Sequence, residues 1–220
     1  EVPPVLKEVA QQSNFPILLT HLETYRCMTD LITFLDEKLA PEDTMSGVLM
    51  SIHGVGVMLT GESGMGKSEA AMELIRNGNV IISDDRVDVM RVHNSIIGKA
   101  PEILYGLLEI RGIGIIDVEK MFGAMASARQ EELKLVIHLV PFEPDAEYNR
   151  IGDETVRYTR ILDVLIPTLV LPVSAGRNTA ALIESAVSEF KLKMAGFNSA
   201  EEIRRRFYEY TKKQSEMNKG

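Results

Sequence analysis

Residues 61–68 read Gly61-Glu62-Ser63-Gly64-Met65-Gly66-Lys67-Ser68, and they sit between an apolar run, Val55 to Thr60, and a helical pattern. This G-x-x-x-x-G-K-S frame constrains the fold more than any other stretch of the chain. A strand that stops at glycines and turns into a helix aims successive backbone N–H groups, together with the positive helix end, at one point. Phosphate oxygens fit there. Lys67 can reach the outer phosphates of a nucleotide, and the Ser68 hydroxyl can ligate Mg²⁺. An ordinary glycine turn is the plain alternative, but a chance match in a chain of this size is about one in a hundred at average residue frequencies.

Composition narrows the rest. The 220 residues are 45% hydrophobic and 25% charged, an ordinary balance for a globular chain of one generous domain or a domain with an appendage. The formal charge of −8 excludes a large non-specific nucleic-acid surface, so Arg204-Arg205-Arg206 reads as a solvated helix face. The single Cys27 forms no internal disulfide and points to a reducing compartment. No apolar run reaches bilayer length, and Glu1-Val2-Pro3-Pro4 has no secretory pattern. The expectation is a cytoplasmic protein with neither membrane nor nucleic-acid partner.

Residues 1–41 read as a separate small piece. Phe15 to Thr20 has strand character, and Met28, Leu31, Ile32, Leu35 and Leu39 follow at helical spacing until Pro41. Glu42-Asp43-Thr44 reads as a polar join. Residues 42–220 form the main domain. Gly47 to Ile52 and Val55 to Thr60 read as strands around a His53-Gly54 turn. Ala70, Ala71, Leu74 and Ile75 make one helical face that Asn77-Gly78 stops. Further strands are expected at Val80 to Ile82, Val87 to Val92, Leu133 to Val140 and Ile161 to Val173, with a short helix from Pro101 to Leu108 and a loop entering a strand over Gly112 to Ile116. Two helices close the chain, one over Thr179 to Met194 and one opened by a Ser199/Glu202 capping box. The implied class is α/β with a mixed sheet.

Ser83-Asp84-Asp85 ends the Val80 to Ile82 strand, with its acids 16 and 17 residues past Ser68. Adjacent carboxylates repel each other, so their pairing calls for a cation or solvent nearby. A kinase site needs a carboxylate for Mg²⁺ and a group that accepts a hydroxyl proton. Asp85 is the expected general base and Asp84 the supporting acid. Glu109-Ile110-Arg111-Gly112-Ile113-Gly114 sets a carboxylate and a guanidinium beside two glycines, which a tight turn with a surface ion pair also explains. Arg150 is open between neutralising a transferring phosphoryl group and an ordinary surface role, whereas Gly176-Arg177-Asn178 reads first as helix capping by Asn178, with anion binding the alternative. The four histidines have no metal-ligand spacing, and His138, inside an apolar strand, reads as a packed core residue.

Together these segments resemble the bacterial HPr kinase/phosphorylase family. The matching stretches are Gly54 to Val57 running into Gly61 to Glu69, then Ser83 to Val87, Leu107 to Asp117, Phe122-Gly123-Ala124, Asn149 to Gly152, and Pro172-Val173 leading to Gly176-Arg177-Asn178. The most specific of them is Leu107-Leu108-Glu109-Ile110-Arg111-Gly112. The resemblance implies a phosphate-loop (P-loop) kinase core akin to phosphoenolpyruvate carboxykinase, assembled as a homo-hexamer. It makes residues 1–41 the remnant of that family's N-terminal domain and linker. It implies an ATP- and Mg²⁺-dependent enzyme that phosphorylates a serine of HPr, the phosphocarrier of the sugar phosphotransferase system. The reverse task is implied too, in which inorganic phosphate attacks phosphoserine and pyrophosphate leaves. Gly61 to Ser68 would hold the ATP phosphates, with Lys67 catalytic and Ser68 on the metal. Glu109 would be a second metal ligand, Arg150 catalytic, and Pro172 to Arg177 engaged in phosphorolysis.

Two positions depart from the family pattern. Ser46 stands where the family usually places a histidine, with His53 a conceivable substitute, and Ser174-Ala175 replaces a basic residue and proline. The first departure keeps open a nucleotide-sensing module with little chemistry. A phosphate-loop kinase for a small metabolite is the other alternative.

Overall fold

The computed structural model describes residues 2–143, 157–174 and 176–217. The chain divides into two compact units, Glu1–Ala40 and Pro41–Gly220. The first holds two helices, α1 (Pro4–Ser13) and α2 (Thr24–Lys38). Pro4 suits the first turn of α1 because its ring pre-sets a helical φ, and Asn14 ends that helix in the left-handed region at φ 52°. The strand expected at Phe15 to Thr20 is absent. That segment is irregular, and Phe15, Leu18 and Leu19 are exposed. A strand needs a paired edge, and the unit contains only helices among its described residues.

The second unit is built on a nine-stranded mixed sheet. Its strands in chain order are β1 (Glu42–Ser46), β2 (Val48–Ile52), β3 (Val55–Gly61), β4 (Val80–Ser83), β5 (Arg86–Val92), β6 (Ser95–Lys99), then β9 (Gln130–Pro141), β10 (Arg157–Ile161) and β11 (Val164–Val173). Between β6 and β9, β7 (Leu107–Ile110) and β8 (Gly114–Asp117) form a separate antiparallel hairpin. The lateral order is β1-β5-β6-β9-β3-β2-β4, with β11 on β9 and β10 on β11. The β3–β9 and β9–β11 pairs are parallel and the others antiparallel. β9 divides one of its edges between two neighbours: Gln130 to Leu133 pair with β6, and Val136 to Pro141 with β11.

The helices are α3 (Lys67–Arg76), α4 (Val118–Phe122), α5 (Thr179–Met194) and α6 (Ser199–Met217). Strand alternation sends Val48, Met50 and Ile52 of β2 toward one sheet face, where they meet Leu74 of α3 and Ile183 and Val187 of α5. Leu49 joins Met58, Val89, Ile96 and Val136 in a second cluster inside the curled sheet. Both faces of the central strands are therefore buried, which their near-continuous apolar runs require.

Several local expectations are corrected here. Glu42-Asp43-Thr44 is not a join but the body of β1, an edge strand whose exposed polar side chains conceal its pairing with β5. The Pro101 to Leu108 helix reduces to one 3-10 turn, Glu102–Leu104, because Gly106 at φ 71° turns the chain into β7. The run from Ile161 to Val173 is broken by a two-residue turn, Leu162-Asp163, whose φ values of 46° and 67° suit a tight hairpin. At the start of α6 the capping side chain is Asn198, which accepts from the Glu201 N–H at 3.3 Å, while Ser199 donates instead to Glu189 on α5 at 2.9 Å. His138 is exposed rather than packed, with its Nδ1 3.0 Å from the Thr60 hydroxyl.

Candidate active site

β3 delivers the chain to the glycine loop at Gly61. Its φ of 138°, and a Cβ that would lie 2.5 Å from the Leu139 carbonyl of β9, leave room for glycine alone. The loop then turns through Gly64 and Gly66, both left-handed, and α3 begins at Lys67. Ala70, Ala71 and Leu74 seat α3 on the sheet, so the free N–H groups of its first turn are held in place. The Lys67 ammonium donates to the Gly61 and Glu62 carbonyls, each at 2.9 Å, closing the loop upon itself.

β2 pairs with β3 on one side and β4 on the other, antiparallel to both, so β4 ends at the same rim as β3. Asp84 and Asp85 follow immediately. Asp84 is 6% exposed. Its carboxylate accepts the Ser68 O–H at 3.3 Å and the Glu109 backbone N–H at 3.0 Å. Burial pushes its pKa up; the Glu109 N–H opposes that, and the neighbouring Asp85 adds to it. Asp85 is exposed, at φ 61°, in the middle of a γ-turn that the Arg86 N–H closes onto the Asp84 carbonyl at 2.7 Å. A carboxylate held at positive φ by so tight a turn is strained backbone at the mouth of the site.

The β7–β8 hairpin forms the facing wall. The cleft between wall and loop measures about 370 Å³ and is lined by Ser63, Gly66, Lys67, Ser68, Asp85, Glu109 and Arg111, among others. The sequence marks Arg111 only as the guanidinium of the Glu109 to Gly114 stretch and gives it no role of its own. Its guanidinium stands over the loop, 3.4 Å from where a Cβ on Gly64 would lie. Its signals in the sequence are its place two residues from Glu109 and within the Leu107 to Gly112 stretch.

The structure thus brings Gly61 to Ser68, Asp84, Asp85 and Glu109 together. Arg150 lies outside the described residues. Ser46 pairs with Arg86, and the next residue, Gly47, donates its N–H to the Asp85 carbonyl at 3.1 Å, so the departing position borders the acids. His53 does not replace the missing ring, because it turns β2 into β3 at the end of the sheet opposite the loop. There it bonds Asn79 and Ser188. Arg177 stacks on Phe142 at 5.1 Å, and Asn178 caps α5 by accepting from the Ala181 N–H at 2.7 Å.

Among the described residues no group of three or more His, Cys, Asp or Glu side chains forms a metal cage. The oxygens present, a hydroxyl and carboxylates beside a phosphate-sized cradle, suit Mg²⁺, which binds through one or two carboxylates plus phosphates and water. No helix among the described residues is long and apolar enough to cross a membrane.

The comparisons with known proteins first define a class. The family model described as the HPr Serine kinase C-terminal domain matches residues 37–207. The HPr kinase/phosphorylase of Limosilactobacillus reuteri is 41% identical over 216 residues, covering 98% of this chain and 67% of its own length. That of Geobacillus thermodenitrificans is 41% identical over 204 residues, covering 92% of this chain and 66% of its own. The solved Hpr(Ser) kinase/phosphatase of Coxiella burnetii superposes with a TM-score of 0.66 at 36% identity, over 73% of this chain and 98% of that one. The chain belongs to the HPr kinase/phosphorylase family, a family of enzymes, and spans about two thirds of the length of these curated relatives.

Proposed function

We propose that this chain is the P-loop catalytic domain of an ATP- and Mg²⁺-dependent serine kinase, with residues 1–41 the remnant of an N-terminal domain. It acts in the cytoplasm as a homo-hexamer on the phosphocarrier HPr. It also runs phosphorolysis, in which inorganic phosphate takes the phosphoryl group from phosphoserine and leaves as pyrophosphate. One observation carries this reading: the Ser68 hydroxyl and the Glu109 backbone N–H meet on the same Asp84 carboxylate, joining the glycine loop, the acids and the hairpin wall around one cleft.

Bound Mg-ATP supplies the phosphoryl group and neutralises part of its charge. Loop N–H groups, Lys67 and Arg111 would cradle phosphate oxygens, while Ser68 and Glu109 would hold the metal. Asp84 orients Ser68 and Glu109 at once. Asp85, exposed at the cleft, takes the proton of the serine hydroxyl as its oxygen bonds to the γ-phosphorus and the bond to the departing ADP breaks. In phosphorolysis it returns a proton to the serine oxygen as inorganic phosphate bonds to phosphorus and leaves as pyrophosphate. Arg150, by the resemblance, stabilises the transferring group. Positioning and fixed charge supply most of the acceleration in such reactions.

The test mixes the protein with Mg-ATP and HPr, follows phosphoserine by mass spectrometry, then adds phosphate and assays pyrophosphate. Phosphoserine that forms and then disappears as pyrophosphate accumulates is the expected result. Nucleotide binding without transfer would select the sensing module, to which Ser46 beside Asp85 gives substance, and turnover without any protein acceptor would select a metabolite kinase.

A further inference from the structure

The hairpin wall is tied to β4 in two places. At the cleft, Asp84 at the end of β4 receives the Glu109 N–H. At the hairpin's base the tie runs through Glu119, on α4 just after β8. Its Oε1 accepts from the Tyr105 hydroxyl at 2.8 Å, before β7, and from the Ser127 hydroxyl at 2.6 Å. The Val118 N–H donates to the Gly106 carbonyl at 2.8 Å and closes the base. Ser127 is buried and bridges Ile81 of β4, where the Ala128 N–H donates to the Ile81 carbonyl at 2.9 Å. Arg129 stacks on the Tyr105 ring at 4.8 Å and fixes its orientation. Glu119 itself is not among the residues lining the cleft.

Resting on the kinase reading above, we propose that Glu119 is a positioning residue, the strut that sets the hairpin's tilt so that Glu109 and Arg111 face the glycine loop. A two-stranded hairpin is marginal alone, so its placement depends on what holds its base. The Glu119 hydrogen bonds also hold its carboxyl below the usual range, Ser127 contributing most and Tyr105 next. The carboxylate is therefore a full acceptor at neutral pH. Without it Ser127 and Tyr105 keep only their mutual hydrogen bond, and the hairpin's side-chain polar ties to β4 reduce to the Asp84 contact, while Leu108 and Ile110 stay packed in the core.

The test compares Glu119→Leu with Glu119→Gln in the full chain. Gln keeps an acceptor oxygen for both hydroxyls; Leu removes it at similar volume. Three quantities are read: hydrogen exchange at the Glu109 amide, affinity for Mg-ATP by calorimetry, and kcat and KM for HPr phosphorylation per folded molecule. Glu119→Leu should speed exchange at Glu109, weaken Mg-ATP and lower kcat/KM by about ten- to a hundredfold, the scale of a small misplacement of catalytic groups. Glu119→Gln should stay within about threefold of the parent on the same scale. A lowered melting temperature in Glu119→Leu with unchanged exchange, affinity and kcat per folded molecule would overturn the proposal, as would Gln failing alongside Leu. If the parent transfers nothing to HPr, the kinase reading falls while exchange and Mg-ATP affinity still decide the strut. A parent that binds no Mg-ATP overturns both.

Discussion

Asp85 puts a measurable strain at the centre of the cleft. Its φ of 61° in a turn closed by the Arg86 N–H is a conformation that a Cβ disfavours. Holding an L-residue there costs about 1–2 kcal/mol. Asp85→Gly removes that cost but gives the unfolded chain more freedom, returning about 0.5–1 kcal/mol. It also removes the like charge beside Asp84. The net expectation is a gain of about 0.5–1 kcal/mol, or about 1–4 °C in melting temperature for a unit of this size. Asp85→Ala isolates the turn, because it loses the same carboxylate but keeps a Cβ at positive φ. It should therefore melt below Asp85→Gly. Both variants should lose about 10²–10⁴ in kcat if the carboxylate is the base. Calorimetric melts and HPr phosphorylation assays measure the two effects separately. If Asp85→Gly melts at or below the parent, or if Ala matches Gly, the turn stores no strain and the reasoning fails.

Asp84 makes a second prediction, about pH. Burial raises its pKa, so the native chain holds that proton more tightly than the unfolded chain, and stability declines as pH climbs from 3.8 through the raised value. Asp84→Asn should flatten that decline and melt higher at neutral pH while losing transfer; equal slopes in parent and variant would refute the assignment. Glu202 makes the opposite case. Arg205 and then Arg206 hold its pKa down to about 2, so its contribution to α6 is complete above 4.5 and fades as pH falls toward that value. Far-UV circular dichroism should show helix lost over that window in the parent and a flatter curve in Glu202→Gln. Gly61→Ala should destabilise by more than about 1 kcal/mol, measured by urea titration, because both φ and the space beside Leu139 exclude a methyl.

What the sequence disclosed follows from how local each signal was. The glycine loop, its flanking strand and helix, and the two acids were legible because one short segment contains their geometry. Glu109 is legible only through the family resemblance, and the role of Arg111 needs the fold, since only the folding of β7–β8 over the loop turns two residues of a hairpin into a wall. β1 was hidden because edge strands carry polar side chains, and the Leu162-Asp163 turn because neither residue is glycine or asparagine. His138 was misjudged for a related reason. An apolar run implies burial, but the second cluster on that sheet face reaches only as far as Val136 on β9.

β9 also carries a safeguard for the site. Ile137 and Leu139 are sealed under the helices while His138 between them meets solvent. Sliding β9 by one residue would push an imidazole inside and strand two large aliphatics outside, a loss of about 1.5–3 kcal/mol for each aliphatic side chain. The same slip would move the one carbonyl that Gly61 is shaped to clear. The mouth of the glycine loop is thus indexed by a strand more than sixty residues downstream, and a β9 out of alignment is incompatible with the loop's geometry.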